Sequence, residues 1–104
     1  MSRIRTTVLS LVVQAAEELN PSLDEAIATH LGEEAPLYGR DGVLDSLDLV
    51  SLILLVEEKT AEALGTPVTL TSDRALSSFR SPFRTVGSLT DYVVALAEPT
   101  RAAA

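Results

Sequence analysis

Apolar residues recur at helical spacing over several stretches of this chain, and strand-like alternation of useful length is absent. Ile4, Val8, Leu11, Val12, Ala15 and Leu19 share one helical face, with Ser2 placed to cap its start and Asn20-Pro21 placed to stop it. Ser22-Leu23-Asp24-Glu25 has the form of a capping box ahead of Ala26, Ile27 and Leu31, and predicts a short helical piece ending at Gly32. Residues 33–45 contain Pro36, Gly39 and Gly42 and keep no period. They read as a connector anchored to the core by Leu37, Tyr38, Val43 and Leu44. From Ser46 to Leu64 there is neither Gly nor Pro, and the stretch stops before Gly65 and Pro67, which predicts a helix of about 28 Å. Beyond it, Pro67 to Thr71 reads as extended, Asp73 to Leu76 as one helical turn, and SSFRSPFR as a loop. Thr85 or Ser88 then caps a last amphipathic helix carrying Leu89, Val93, Val94 and Leu96 and halted by Pro99. The expectation is an all-α chain with one domain over residues 1–98, a frayed tail over 99–104, and no internal repeat.

The helix from Ser46 has more apolar residues than one face can hold. At about 100° per residue, Leu49, Leu52, Ile53 and Val56 fall in one arc, while Leu47, Val50 and Leu54 fall nearly opposite. Ser46, Ser51, Glu57 and Glu58 lie beside the second arc. Either both arcs are core, as in a central helix, or the second is a docking face. Two carboxylates and two hydroxyls are costly to bury unpaired. An apolar strip rimmed with acid suits a partner that carries Lys and Arg, because opposite charge speeds and orients the encounter.

Composition narrows the function. The 104 residues carry 8 Lys and Arg against 15 Asp and Glu, a net charge of −7, so clustered basic residues for nucleic acid or an anionic membrane are missing. With 46% hydrophobic residues the chain is too apolar for disorder. No run reaches the roughly 18 uncharged apolar residues of a membrane span, since LDLVSLILLV is cut by Asp48 and the N-terminal stretch by Gln14, Glu17 and Glu18. Zero cysteines remove disulfides and thiolate metal sites and suit a reducing cytoplasm. A soluble cytoplasmic protein is expected.

Catalysis by the chain itself finds little support. Ser46 as a nucleophile needs a base, and the single histidine, His30, lies beside Leu31 and Gly32 with only a remote Asp41 to orient it. Nothing resembles a nucleophile elbow. Asp41, Asp45 and Asp48 have the wrong spacing for a calcium loop and lack the distal bidentate glutamate. The chain is therefore read as a non-enzyme with no catalytic residue and no metal site. The plain role of Asp45-Ser46 is a helix N-cap, which also leaves Ser46 exposed where an attached phosphate is well tolerated.

Asp45-Ser46-Leu47-Asp48, preceded by Gly42-Val43-Leu44 and followed by an apolar helix ending in Glu57-Glu58, resembles the acyl carrier protein family. The similarity extends to the last helix, Thr85-Val86 to Asp91-Tyr92-Val93, and so covers nearly the whole chain. It implies a four-helix bundle with a long first loop and a short third helix. Ser46 would carry a 4′-phosphopantetheine arm donated by coenzyme A, attached by a phosphopantetheinyl transferase that brings its own base and metal. The arm's thiol would hold acyl groups as thioesters, with the protein supplying presentation and recognition. Asp45 would help the transferase engage. Leu47, Asp48, Val50, Leu54, Glu57 and Glu58 would form the recognition helix for acyl-loading and acyl-processing enzymes with basic docking patches. A monomer is expected, with an apolar interior into which a short or medium acyl chain slips.

Departures from the family pattern bear on partner choice. Ser51 stands where fatty-acid carriers have a glutamate, and Lys59 follows the glutamate pair, so the acidic face reads as weakened. The segment 22–31 and SSFRSPFR lengthen the loops, with Phe79 and Phe83 expected to pin the latter and Arg80 and Arg84 to face solvent. Within fatty-acid, polyketide or related specialised biosynthesis, these features tilt the reading toward a specialised carrier over a housekeeping fatty-acid one. An aminoacyl or peptidyl carrier, and an unmodified helical interaction module that uses the same strip, are the alternatives.

Overall fold

Among the described residues, three α-helices carry the fold: α1 over Arg3–Leu19, α2 over Ser46–Leu64 and α3 over Val86–Ala97. They are seen in a computed structural model of the chain, which describes residues 3–39, 42–65 and 83–97. Among the described residues there are no strands, only isolated bridges of Pro36 with Thr85 and Tyr38 with Leu44. The expected Ser2 cap, the 67–71 extended segment, the helical turn at 73–76, Phe79, Arg80, Pro99 and the tail lie outside the described residues. The short third helix implied by the family resemblance therefore does too.

α1 buries Val8, Val12, Ala15 and Ala16 completely, the face predicted from its period. It ends where Pro21 cannot supply a helical N–H, and the chain tightens into a 3₁₀ turn over Asn20–Ser22. The capping box expected at Ser22 does not form. Asn20 Oδ1 accepts from the Ile27 N–H at 2.8 Å, and Asn20 Nδ2 donates to the Ile27 carbonyl at 3.2 Å. This two-way bond draws Ile27 into the core and spends the backbone groups that a helix starting at Ser22 would need. A 3₁₀ turn appears later, over Thr29–Glu34, broken at Gly32, whose φ of +63° lies in the left-handed region. Leu31, one of the apolar residues of the expected helical piece, is exposed.

The connector then becomes a wall of the core. Leu37 and Leu44 are buried, and the Leu44 N–H donates to the Leu37 carbonyl at 3.0 Å. Gly42 sits against this turn so closely that a Cβ would come within 2.3 Å of the Leu37 carbonyl oxygen. Leu37 N–H donates to the Arg84 carbonyl at 2.7 Å, and Val86 N–H to the Ala35 carbonyl at 3.0 Å, which ties the connector to the entry of α3. Phe83 is fully buried there, edge-on to Tyr92 at 6.0 Å between ring centroids, while Arg84 faces solvent. Both proposed caps of α3 act together: Thr85 Oγ1 accepts from Ser88 N–H at 3.1 Å, and Ser88 Oγ accepts from Thr85 N–H at 3.0 Å.

α1 packs closely against both α2 and α3, and the buried side chains of all three helices belong to one hydrophobic core. Arg5 near the start of α1 bonds Glu33 of the second 3₁₀ turn and, at 2.8 Å, Asp91 of α3. The connector thus returns to the beginning of α1 before α2 starts. At the far end Lys59 of α2 is ion-paired with Glu18 of α1. The two helices consequently run in the same direction, which is why the link between them is long.

Candidate functional site at the start of α2

Asp45 is the N-cap of α2. Its backbone is extended (φ −90°, ψ −176°), its Oδ1 accepts from the Asp48 N–H at 2.8 Å, and its carbonyl accepts the first helical bond from Leu49 N–H at 2.9 Å. Ser46 is therefore the first helical residue rather than the cap. Its side chain is exposed, and the capping demand that would have occupied a serine hydroxyl is met by the neighbouring carboxylate. The amides of Ser46 and Leu47 remain at the open, positive end of a 19-residue helix. At the other end Gly65 takes the left-handed conformation (φ +68°) and donates to the Ala61 carbonyl at 2.9 Å, closing the helix where the sequence placed its stop.

The two apolar arcs separate cleanly. Leu49, Leu52, Ile53 and Val56 are buried, whereas Leu47 is 79% exposed, Leu54 55% and Val50 42%. The second arc is a surface strip, so the reading in which both arcs are core does not hold. Ser51 and Glu58 on the same side are exposed, and Asp48 and Glu57 are half-buried at its edges. Lys59, expected to weaken this acidic rim, points the other way to its pair with Glu18, its side chain 21% exposed. The strip and its acid thus form one continuous face with Ser46 at the head.

His30 is exposed on the second 3₁₀ turn, and Asp41, the third member considered for a triad, lies outside the described residues. Asp45 spends an oxygen on the Asp48 backbone. Among the described residues no group of three or more His, Asp or Glu side chains could hold a metal ion, and no helix is long and apolar enough to cross a membrane.

One residue on α2 was not marked by its sequence. Thr60 is fully buried, and its Oγ1 has no hydrogen-bond partner among the described residues. The available signal was its phase: position 60 follows Ile53 and Val56 on the core face, where a hydroxyl is out of place.

Comparison with family models, with curated proteins and with solved structures finds no match for this chain. The functional reading accordingly rests on the residues and their arrangement.

Proposed function

We propose that this chain is a carrier protein, with Ser46 as the attachment point of a 4′-phosphopantetheine arm. The observation that carries the reading is the division of labour at the head of α2: Asp45 caps the helix, and Ser46 presents an exposed hydroxyl beside the open amides. A phosphodiester on that oxygen fits the site. The positive helix end favours an anion, and the exposed position leaves room for an enzyme to reach it. When bound, the arm supplies a thiol, which a chain without cysteine lacks, and so the capacity to hold an acyl group as a thioester.

The chain's own residues then have two tasks. Asp45 fixes the helix start, so that Ser46 is offered in one geometry to the transferase. Leu47, Val50 and Leu54 provide apolar contact area, and Asp48, Glu57 and Glu58 provide charge for partner enzymes with basic patches. Capping, loading and recognition occupy adjacent residues of one helix. The chain performs no catalysis in this reading and works as a cytoplasmic monomer within a four-helix bundle, its cargo fatty acyl, polyketide or aminoacyl.

The exposed strip alone would also serve a module that binds a partner helix and is never modified. Intact mass separates the two. After incubation with coenzyme A, magnesium and a broad-specificity phosphopantetheinyl transferase, the wild type should gain one phosphopantetheine and Ser46→Ala should gain none. No addition, under conditions that modify a known carrier, would overturn the proposal in favour of the unmodified module.

A further inference from the structure

Holding acyl groups as thioesters exposes a chain to its own cargo, because an amine within reach takes an acyl group from sulfur and keeps it. This chain offers few acceptors. It has no cysteine, and only one of its 8 Lys and Arg residues is a lysine. Arginine does not compete, since its guanidinium stays protonated in a protein. Lys59 is therefore the one side chain whose nitrogen can form a stable amide with an acyl thioester.

The fold withholds that nitrogen. Lys59 falls about 140° round α2 from Leu54, so it points away from the exposed strip. A pair within the helix, with Glu62 three residues on, would leave the amine at the surface. The pair formed instead crosses to Glu18 of α1, and the lysine side chain is 21% exposed against 54% for the glutamate. An ammonium bound in this way has no lone pair to offer. To attack a carbonyl it must both leave the carboxylate and lose a proton.

We infer that Lys59 is a latent acylation site for acyl thioesters, kept silent by its ion pair with Glu18. This rests on the carrier reading, which supplies the thioester. In the reaction the Nζ lone pair adds to the carbonyl carbon, the carbon–sulfur bond breaks, and the sulfur leaves as a thiolate that takes up the proton nitrogen loses. An amide and a free thiol remain, with no oxidant or further reactant. Cargo moved in this way is lost, because an amide resists the partner enzymes that open a thioester. The pair across the seam between α1 and α2 thus protects cargo as well as joining two helices.

The first arm of the test needs no phosphopantetheine. Unloaded wild type, Glu18→Ala and Lys59→Arg are incubated at mildly alkaline pH with octanoyl-N-acetylcysteamine, a small acyl thioester. Hydroxylamine-resistant octanoyl is counted by intact mass and mapped by peptide fragmentation, with Nα-acetyl-lysine amide as the freely exposed reference. Lys59 of the wild type should react more slowly than the reference. Glu18→Ala should raise its rate about fivefold, the upper range for a partly exposed ion pair, and Lys59→Arg should carry no acyl group at position 59. High salt should lift the wild-type rate toward that of Glu18→Ala and leave the variant unchanged, which separates loss of the pair from loosening of the fold. Equal rates in wild type and Glu18→Ala, a wild-type rate equal to the reference, or the same salt response in both proteins overturns the inference.

The second arm loads wild type and Glu18→Ala with octanoyl from octanoyl coenzyme A and a phosphopantetheinyl transferase. Hydroxylamine-resistant acyl at Lys59 should then accumulate faster in the variant, and equal accumulation overturns the protection of cargo. Absence of any mass addition is a distinct result: it removes the carrier reading, and the first arm still decides whether Glu18 silences Lys59.

Discussion

Lys59, the only lysine of the chain, is ion-paired with Glu18 across the seam between α1 and α2. Its charge is thereby withdrawn from the face that carries Glu57 and Glu58. Exchanging both glutamates for lysine, in Glu57→Lys with Glu58→Lys, should slow acyl transfer to partner enzymes, most strongly at low salt where screening is weak. Lys59→Ala should leave those rates unchanged and lower stability by less than about 1 kcal/mol, the range of a partly exposed pair. Transfer rates measured across an ionic-strength series decide; a slope that is the same in both variants would remove the docking role.

The capping arrangement predicts an inversion between neighbouring residues. Asp45→Ala should cost about 1 kcal/mol of stability by orphaning the Asp48 N–H. Ser46→Ala, with an exposed side chain outside the cap, should cost within about 0.5 kcal/mol while abolishing loading. Urea denaturation of both variants beside the mass assay tests the pair.

The two arcs of α2 should respond in opposite ways. Leu52→Ala opens a cavity in a fully buried position and should cost about 2–5 kcal/mol. Leu47→Ser alters a residue 79% exposed and should stay within about 0.5 kcal/mol. A large loss at Leu47 would mean that the strip is covered within the folded chain, and calorimetry reads it directly.

Acid should loosen the tie between α1 and the second 3₁₀ turn. Hydrogen bonds from the Arg5 guanidinium hold the Glu33 carboxyl below the usual carboxylate range. Stability from this pair is fully present above that usual range and is lost as pH falls through the depressed value. Arg5, shifted further upward by the same bonds, stays charged throughout and adds no slope of its own there. The stability difference between wild type and Glu33→Gln should be flat near neutrality and shrink toward acid. A difference that grows on acidification would contradict the assignment.

Gly42→Ala should be among the more damaging small substitutions in the connector. The added Cβ meets the Leu37 carbonyl oxygen at 2.3 Å, and backbone on both sides must move. A loss of about 1–3 kcal/mol is expected, read as a shift in the urea midpoint.

Where structure follows from nearest neighbours, the chain could be read directly. Asp45 and Gly65 bound α2 at the residues expected, because a cap and a left-handed stop act within one turn. The Thr85 and Ser88 pair did the same for α3. Ser22 failed because Asn20 reaches seven residues forward to Ile27, a bond outside the span of any capping rule. The existence of two arcs on α2 was visible in their phase, but which one is covered depends on where α1 lies. Lys59 is a case of the same kind: its direction is set by Glu18, distant in sequence, and not by the glutamates next to it. Thr60 was readable as an oddity of phase, whereas its lack of a partner required the packed neighbours.

Helices that run the same way cannot be joined by a tight turn, and this has a kinetic consequence. Before the core face of α2 meets α1, the chain between Leu19 and Ser46 must close a long loop, so entropy is lost ahead of the contacts that compensate it. An antiparallel pair with a short turn would assemble faster, but it would carry Ser46 to the opposite end, away from Arg5 and the wall built by Leu37 and Leu44. Lengthening the connector is cheap, since doubling such a loop costs only about 0.6 kcal/mol. The architecture therefore tolerates variation in the length of its first loop while holding Ser46 at a fixed pole of the molecule.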